Sequence, residues 1–273
     1  MIRIPMPERL REAAAHPPAQ PVEPRDAATI VVVRDGDDGI EAYLMRRQSS
    51  MAFAAGMYVF PGGGLMESDV LHDVPWVGPD AAEWGRRFRC DAQLARGLVV
   101  AAVRETFEET GILLAGPDAD TVVSDTSGDD MEAARGALEE GELAFADFLR
   151  DDGLVLRADL VGAWAHWITP AFEPRRYDTR FFVAALPEGQ RVGAMSREAD
   201  RATWAPLARV LASVESGEAA MMPPTIAACR EVSAHSAATV VTASAGRTFP
   251  TILPQLVLVD GEPYLETYLG EQP

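Results

Sequence analysis

The stretch AAVRETFEETGILL, residues 101–114, packs Glu105, Glu108 and Glu109 into five positions and then meets Gly111, a natural helix stop. At about 100° of rotation per residue, with Glu105 set at zero, Glu109 falls near about 40° and Glu108 near about −60°. Val99, Val100, Val103, Thr106, Phe107 and Thr110 fall on the far side, at roughly 100° to 220°. The pattern predicts a helix from about Ala92 to Thr110 with an apolar packing face. The acids lie opposite, flanked by the small Ala101 and Ala102. Like charges three and four apart cost roughly 0.2–0.5 kcal/mol per pair, and acids in the last turn oppose the helix dipole. A divalent cation reverses both penalties, because clustered carboxylate oxygens are what hard Mg2+ or Mn2+ takes. The plainer alternative is a solvated acidic face, partly neutralised by Arg104.

Upstream, AATIVVV (27–33), RDGDDG (34–39) and IEAYLMRR (40–47) read as a β-hairpin, and SSMAFAAGMYVFPGGG (49–64) as a loop. Residues 70–96 read as irregular and then helical. Downstream, 117–130 is a polar loop and 131–150 a helical hairpin. LVGAWAHWITP (160–170) and TRFFVAALP (179–187) read as strands. WAPLARVLASVESG (204–217) and residues 226–236 read as helices, and PQLVLVDGEPYLETYL (254–269) as a closing hairpin. The elements alternate without a regular βαβ period, which points to an α+β sandwich rather than a dinucleotide-binding fold.

The chain has 273 residues, 48% of them hydrophobic, enough for one domain with large insertions or for two. Its 42 acidic and 24 basic residues, net −18, argue against a general nucleic-acid or anionic-membrane binder. Cys90 and Cys229 are far apart and not in metal-ligand spacing; they suggest a reducing, cytoplasmic compartment and two small buried side chains. No apolar run is long enough to cross a bilayer, and neither a signal-peptide core nor a C-terminal Ser-Lys-Leu is seen.

The order of residues in RETFEETGI adds a resemblance. It matches Arg-Glu-U-x-Glu-Glu-x-Gly-U, with U aliphatic or similar, the second half of the Nudix box. Gly63, then GLMES, then Asp69 is similar to the first half. Between Asp69 and Arg104 lie 34 residues where the box has seven, so the box resembles one split by an insertion of about 27 residues. FPGGG, AWAHWITP, RRYDTRFFVAALP, EADRATWAPLARVL and MMPPT follow in the order of the Nudix branch that includes peroxisomal coenzyme A diphosphatases. The resemblance runs over residues 27–236. It implies a Nudix-type α/β/α sandwich with a mixed sheet, a helical insertion at about 70–96, and extra C-terminal helices and a hairpin. Residues 1–26 are then an N-terminal arm, 27–236 the Nudix domain, and 237–273 an extension packed on it.

The same resemblance implies roles. Glu105 and Glu109 are the main ligands for Mg2+ or Mn2+, and Glu108 is a further ligand or a group behind them. Arg104 orients a box glutamate by an ion pair, and Gly63 and Gly111 bound the loop and the helix. Nudix enzymes hydrolyse a nucleoside diphosphate linked to another moiety, so the implied partner is a small nucleotide conjugate. Metal ions meet the physical need, by neutralising phosphoryl charge and lowering the pKa of a bound water. Glu198, in SREAD, is the candidate base or extra ligand, or else a plain loop glutamate. Aligned on FPGG (60–63), the pattern of bacterial coenzyme A diphosphatases finds Arg47 and Gly56 in place beside Gly62 and Gly63. Gln48 and Ala52 depart from it, and Arg46, Arg86 and Arg87 are the other arginines at hand for phosphate. Among Arg175, Arg176 and Arg180, Arg180 either touches substrate or pairs with Asp178. Trp164, Trp167, Phe181, Phe182 and His166 read as core. A non-catalytic nucleotide-binding module is the alternative function. The C-terminal hairpin is a homodimer contact, a lid or an ordinary edge.

Overall fold

The computed structural model describes residues 2–6, 8–48, 54–195 and 199–267. Strand β1 (Ile2–Pro5) and helix α1 (Glu8–Ala15) precede the hairpin of β2 (Arg25–Gly36) and β3 (Gly39–Arg47). Short strands β4 (Tyr58–Val59) and β5 (Gly62–Gly64) lead to α2 (Glu67–Leu71), β6 (Trp76–Val77) and α3 (Ala81–Phe88). The long helix α4 (Ala92–Thr110) is followed by β7 (Ala115–Gly116), α5 (Asp129–Glu139), α6 (Phe145–Asp151) and β8 (Val155–Arg157). Then come β9 (Val161–Ile168), β10 (Tyr177–Ala185), β11 (Ala199–Pro206), α7 (Leu207–Glu215), α8 (Pro223–Val232) and α9 (Ala237–Ala245). Strand β12 (Thr251–Ile252) and the hairpin β13 (Gln255–Val259) with β14 (Glu262–Thr267) follow.

The central sheet runs β11-β3-β2-β10-β9-β12, with β4 added on β3 and β5 on β2. β2 and β10 are parallel, as are β9 and β12, and the other pairs along that order are antiparallel, so the sheet is mixed. Side chains alternate across it with period two. Ile30 and Val32 of β2 enter one core with Phe182, under α3, α4 and α6. Val31 and Val33 enter the other with Val183, under α7, α8 and α9. This is the α/β/α sandwich that the sequence predicts. Each large side chain buried in those layers contributes about 1.5–3 kcal/mol.

Helix α4 has the bounds its periodicity predicts. Asp91 caps it by accepting from the Leu94 N–H at 2.8 Å. Gly111 ends it in the left-handed region, at φ 74°, where its N–H donates to the Phe107 carbonyl at 2.8 Å. The segment between the box halves is helical, as expected, and enters the core: Trp84 and Phe88 lie 5.7 and 5.0 Å from Phe182.

Two readings are corrected, and one of the expected C-terminal helices is located. Trp204–Pro206 belong to β11, and the helix starts only at Leu207. β11 is an edge strand, ADRATWAP, whose apolar and polar residues do not alternate strictly, so it carries little period to find. Residues 237–245, AATVVTASA, form a helix with no charged stripe to announce it. It fits because Gly162 of β9 lets Ser244 approach, where any Cβ would overlap the hydroxyl. Residues 1–26 also hold a strand: β1 pairs antiparallel with β14.

Candidate active site

The acidic face of α4 is covered rather than solvated. Glu108 and Glu109 are 8% and 7% exposed, and Ala101 and Ala102 are fully buried. Strand β5 lies on this face. The Gly62 N–H donates to Glu109 Oε2 at 2.7 Å, and a Cβ on Gly63 would overlap the Glu105 carboxylate. A Cβ at 63 would force the Glu105 carboxylate to shift, so glycine there favours this close approach and is not called for by its backbone angle.

The split in the box is closed in space. Arg104 reaches Asp69 with Nε at 2.9 Å and Nη2 at 3.0 Å, a two-point contact across 35 positions of sequence. The same guanidinium donates from Nη1 to Glu105 at 2.8 Å and to Glu108 at 3.1 Å. Asp69 is 2% exposed and also accepts from the Met66 N–H at 2.8 Å, which starts α2. So one guanidinium serves three carboxylates, a formal excess of two negative charges in a buried place. Burial pushes the Glu105 carboxyl up to about 7, against the pull of Arg104, and raises Glu108 as well. Tyr43, buried on β3 and facing the Glu109 charge, is pushed up to about 12.

A cavity of about 400 Å³ opens beside this cluster. Gly62, Gly63, Gly64, Glu105 and Glu109 form one part of its wall; Glu108 is absent from it. Trp167, Phe181, Met222, Pro223, Leu10 and Leu265 supply an apolar part, and Arg47 and Arg175 two cations. Among the described residues no three His, Cys, Asp or Glu side chains converge into a metal cage. The donor set still fits a hard divalent ion. Mg2+ keeps several waters and takes one or two protein carboxylates plus substrate phosphate oxygens. Glu105 and Glu109 are such a pair, and the excess negative charge behind them favours a cation.

The predicted residues divide accordingly. Arg47, Gly62, Gly63, Glu105 and Glu109 meet at the cavity, while Arg104 and Glu108 stand behind it. Gly56 turns the chain at φ 70°, donating its N–H to the Arg47 carbonyl at 3.0 Å, and is not on the wall. Arg180 makes the Asp178 pair, one of its two readings, and it is not on the cavity wall. It points to the opposite face of the sheet from Thr179 and Phe181 and pairs with Asp26 at 2.5 Å and Asp178 at 2.9 Å. Arg46 pairs with Asp200 and Arg87 with Glu83, and Arg86 is not on the wall either. Glu198 lies outside the described residues. The segment before it is anchored at the end of α4: the Gly193 N–H donates to the Thr110 carbonyl at 2.8 Å, and Arg135 bridges the Glu108 and Ala194 carbonyls, 3.0 Å from each. The segment after it begins with Ala199 paired to Arg47.

Trp167 and Phe181 are buried, as read, and also wall the cavity. His166 bridges Asp178 and Thr251 between strands. Sequence reasoning missed Arg175 as a wall residue, and missed Leu10 and Leu265 because β1 brings α1 and β14 together only through long-range pairing.

Comparisons with known proteins bear on the family and the fold. The family model described as the NUDT19 Nudix domain matches residues 88–232. The acyl-coenzyme A diphosphatase NUDT19 of Xenopus laevis is 23% identical over 219 residues, 67% of this chain and 57% of that protein. Nudix hydrolase 7 of Caenorhabditis elegans is 24% identical over 183 residues, covering 52% of its length. The chain thus spans a little over half the length of these curated relatives. The crystal structure of a Nudix hydrolase from Alicyclobacillus acidocaldarius is 30% identical, with a TM-score of 0.66 over 81% of this chain and 96% of that one. A split box joined through Asp69 and Arg104, on a sandwich of this topology, belongs with these sequences: the chain is a member of the Nudix hydrolase family, in the division typified by the NUDT19 Nudix domain.

Proposed function

We propose that this protein hydrolyses the diphosphate linkage of a nucleoside diphosphate conjugate with Mg2+ or Mn2+, and that coenzyme A or acyl-coenzyme A conjugates are the favoured substrates. The observation that carries this reading is the pair Glu105 and Glu109, set on the cavity wall against the glycine strand with excess negative charge behind it. A divalent ion held there supplies charge neutralisation for the phosphoryl oxygens and a water of lowered pKa. Arg104 fixes the Glu105 and Glu108 side chains, and Asp69 fixes Arg104. Gly62 holds Glu109 through its N–H. Arg47 offers a guanidinium to the diphosphate. Trp167 and Phe181 exclude water and leave room for an apolar part of the conjugate. Glu198 is proposed as the base, because its chain neighbours start from the end of α4 and finish beside Arg47.

The coenzyme A preference is supported by the similarity to the Xenopus diphosphatase and by the apolar wall. The two free cysteines suit the cytoplasm, and no helix among the described residues is long and apolar enough to cross a membrane. The test is turnover of a panel of diphosphate conjugates with Mg2+ and with Mn2+, read by product mass. Expected are two phosphate-bearing products, fastest from coenzyme A-type conjugates. Metal and nucleotide binding without turnover across the panel would point instead to a binding module.

A further inference from the structure

We propose that Arg175 recognises a second phosphate group on the substrate, separate from the scissile diphosphate, and so sets specificity between conjugates that carry it and those that lack it. This rests on the hydrolase reading above. Arg175 stands on the cavity wall in the loop between β9 and β10, exposed, and makes no ion pair among the described residues. What sets it apart from the other arginines without an ion pair among the described residues, such as Arg86 and Arg89, is its place on the cavity wall.

Its backbone is held in place. Arg176 is buried and donates to the carbonyls of Thr169 at 3.0 Å and Val22 at 2.7 Å. The Arg176 carbonyl accepts from the Arg25 N–H at 3.0 Å, and the Tyr177 carbonyl from the Thr169 N–H at 2.9 Å. The guanidinium is thus mounted on a fixed loop while its own donors stay available, which reduces the ordering cost of binding.

Its position separates it from the scissile linkage. Thr179 pairs with Ala27, and Ala27 with Gly64, so Thr179 marks the level of the glycine strand. Arg175 lies four residues earlier and two strands across, so its backbone is roughly 16 Å from Gly64 at about 3.3 Å per residue and about 4.8 Å per strand. Arg47 comes from β3, on the other side of β2 from β10. The two arginines therefore flank the carboxylates from opposite sides and meet different parts of a ligand. A planar guanidinium suits phosphate. Glu105 and Glu109 are the only carboxylates on the described wall, and both belong to the glycine end.

Coenzyme A and 3′-dephospho-coenzyme A differ by one phosphate remote from the diphosphate, so they are the test pair. The wild-type protein with Mg2+ should favour coenzyme A in kcat/KM by about tenfold or more, the yield of a charge-assisted contact. Arg175→Ala should bring that ratio close to one through KM, and Arg175→Lys should keep part of it. Calorimetric binding of adenosine 3′,5′-bisphosphate against adenosine 5′-monophosphate reads the same discrimination without turnover. An unchanged ratio in Arg175→Ala overturns the assignment, as does a wild-type protein that treats both conjugates alike; in the latter case the hydrolase reading stands. Turnover of neither conjugate removes the coenzyme A reading and this assignment with it.

Discussion

At Arg104 a single guanidinium holds Asp69, Glu105 and Glu108, and is buried with them. Burying that many charges is costly unless each is paired, so loss of one partner is felt strongly. Asp69→Asn should lower stability by about 3 kcal/mol, the low end for a broken buried pair, because Glu105 and Glu108 still hold the guanidinium. Thermal unfolding measures this as a fall in Tm of several degrees; a Tm within about a degree of wild type would show that Asp69 does not secure the box. The shorter aspartate side chain makes both contacts with Arg104 because α2 delivers it from close by. Cys229 is a core residue, and Cys90 is only partly buried against the core. Burial pushes the Cys229 thiol up to about 12 and raises Cys90 as well. A thiol reagent at pH 8 should leave Cys229 unlabelled in the native protein and modify it in denaturant, read by intact mass. Labelling of native Cys229 within minutes would contradict its burial.

Among the elements, α4 was the most legible in the sequence. Its 3.6-residue period, Asp91 cap and Gly111 stop all agree with its place in the structure. The insertion before it had no readable purpose, because its role depends on partners far away in the chain. Trp84 is fully buried and meets Phe88 and Phe182, so the insertion is part of the core under α4. Trp84→Ala should cost about 3–5 kcal/mol, as large-to-small changes in cores do, measured by denaturant unfolding. A loss under about 1 kcal/mol would mean that the insertion is a surface appendage. Strand β11 and helix α9 escaped the reading for a related reason. One is an edge strand without strict alternation and the other a run of small and β-branched residues, and tertiary contacts rather than local pattern decide both.

For the whole molecule, the sequence order carried the family and the layers, and the fold supplied what order cannot. β1 and β14 pair across the length of the chain, which brings Leu10 and Leu265 to the cavity. Strand alternation on β10 sends Thr179 and Phe181 to the cavity and Arg180 to the opposite core, a distinction that the cluster of arginines around YDT did not reveal without a register. The three glutamates also part company: Glu105 and Glu109 reach the cavity, and Glu108 stands behind it with Arg104. The central claim is that this carboxylate pair makes the cavity a divalent-metal hydrolase site. Its most direct test is steady-state hydrolysis of coenzyme A by the wild-type protein and Glu109→Gln across a Mg2+ titration. The account predicts metal-dependent turnover in the wild type and a loss in Glu109→Gln exceeding the ~100-fold that changes behind the ligands reach. Equal turnover by both proteins, or turnover that persists without any divalent ion, would contradict it.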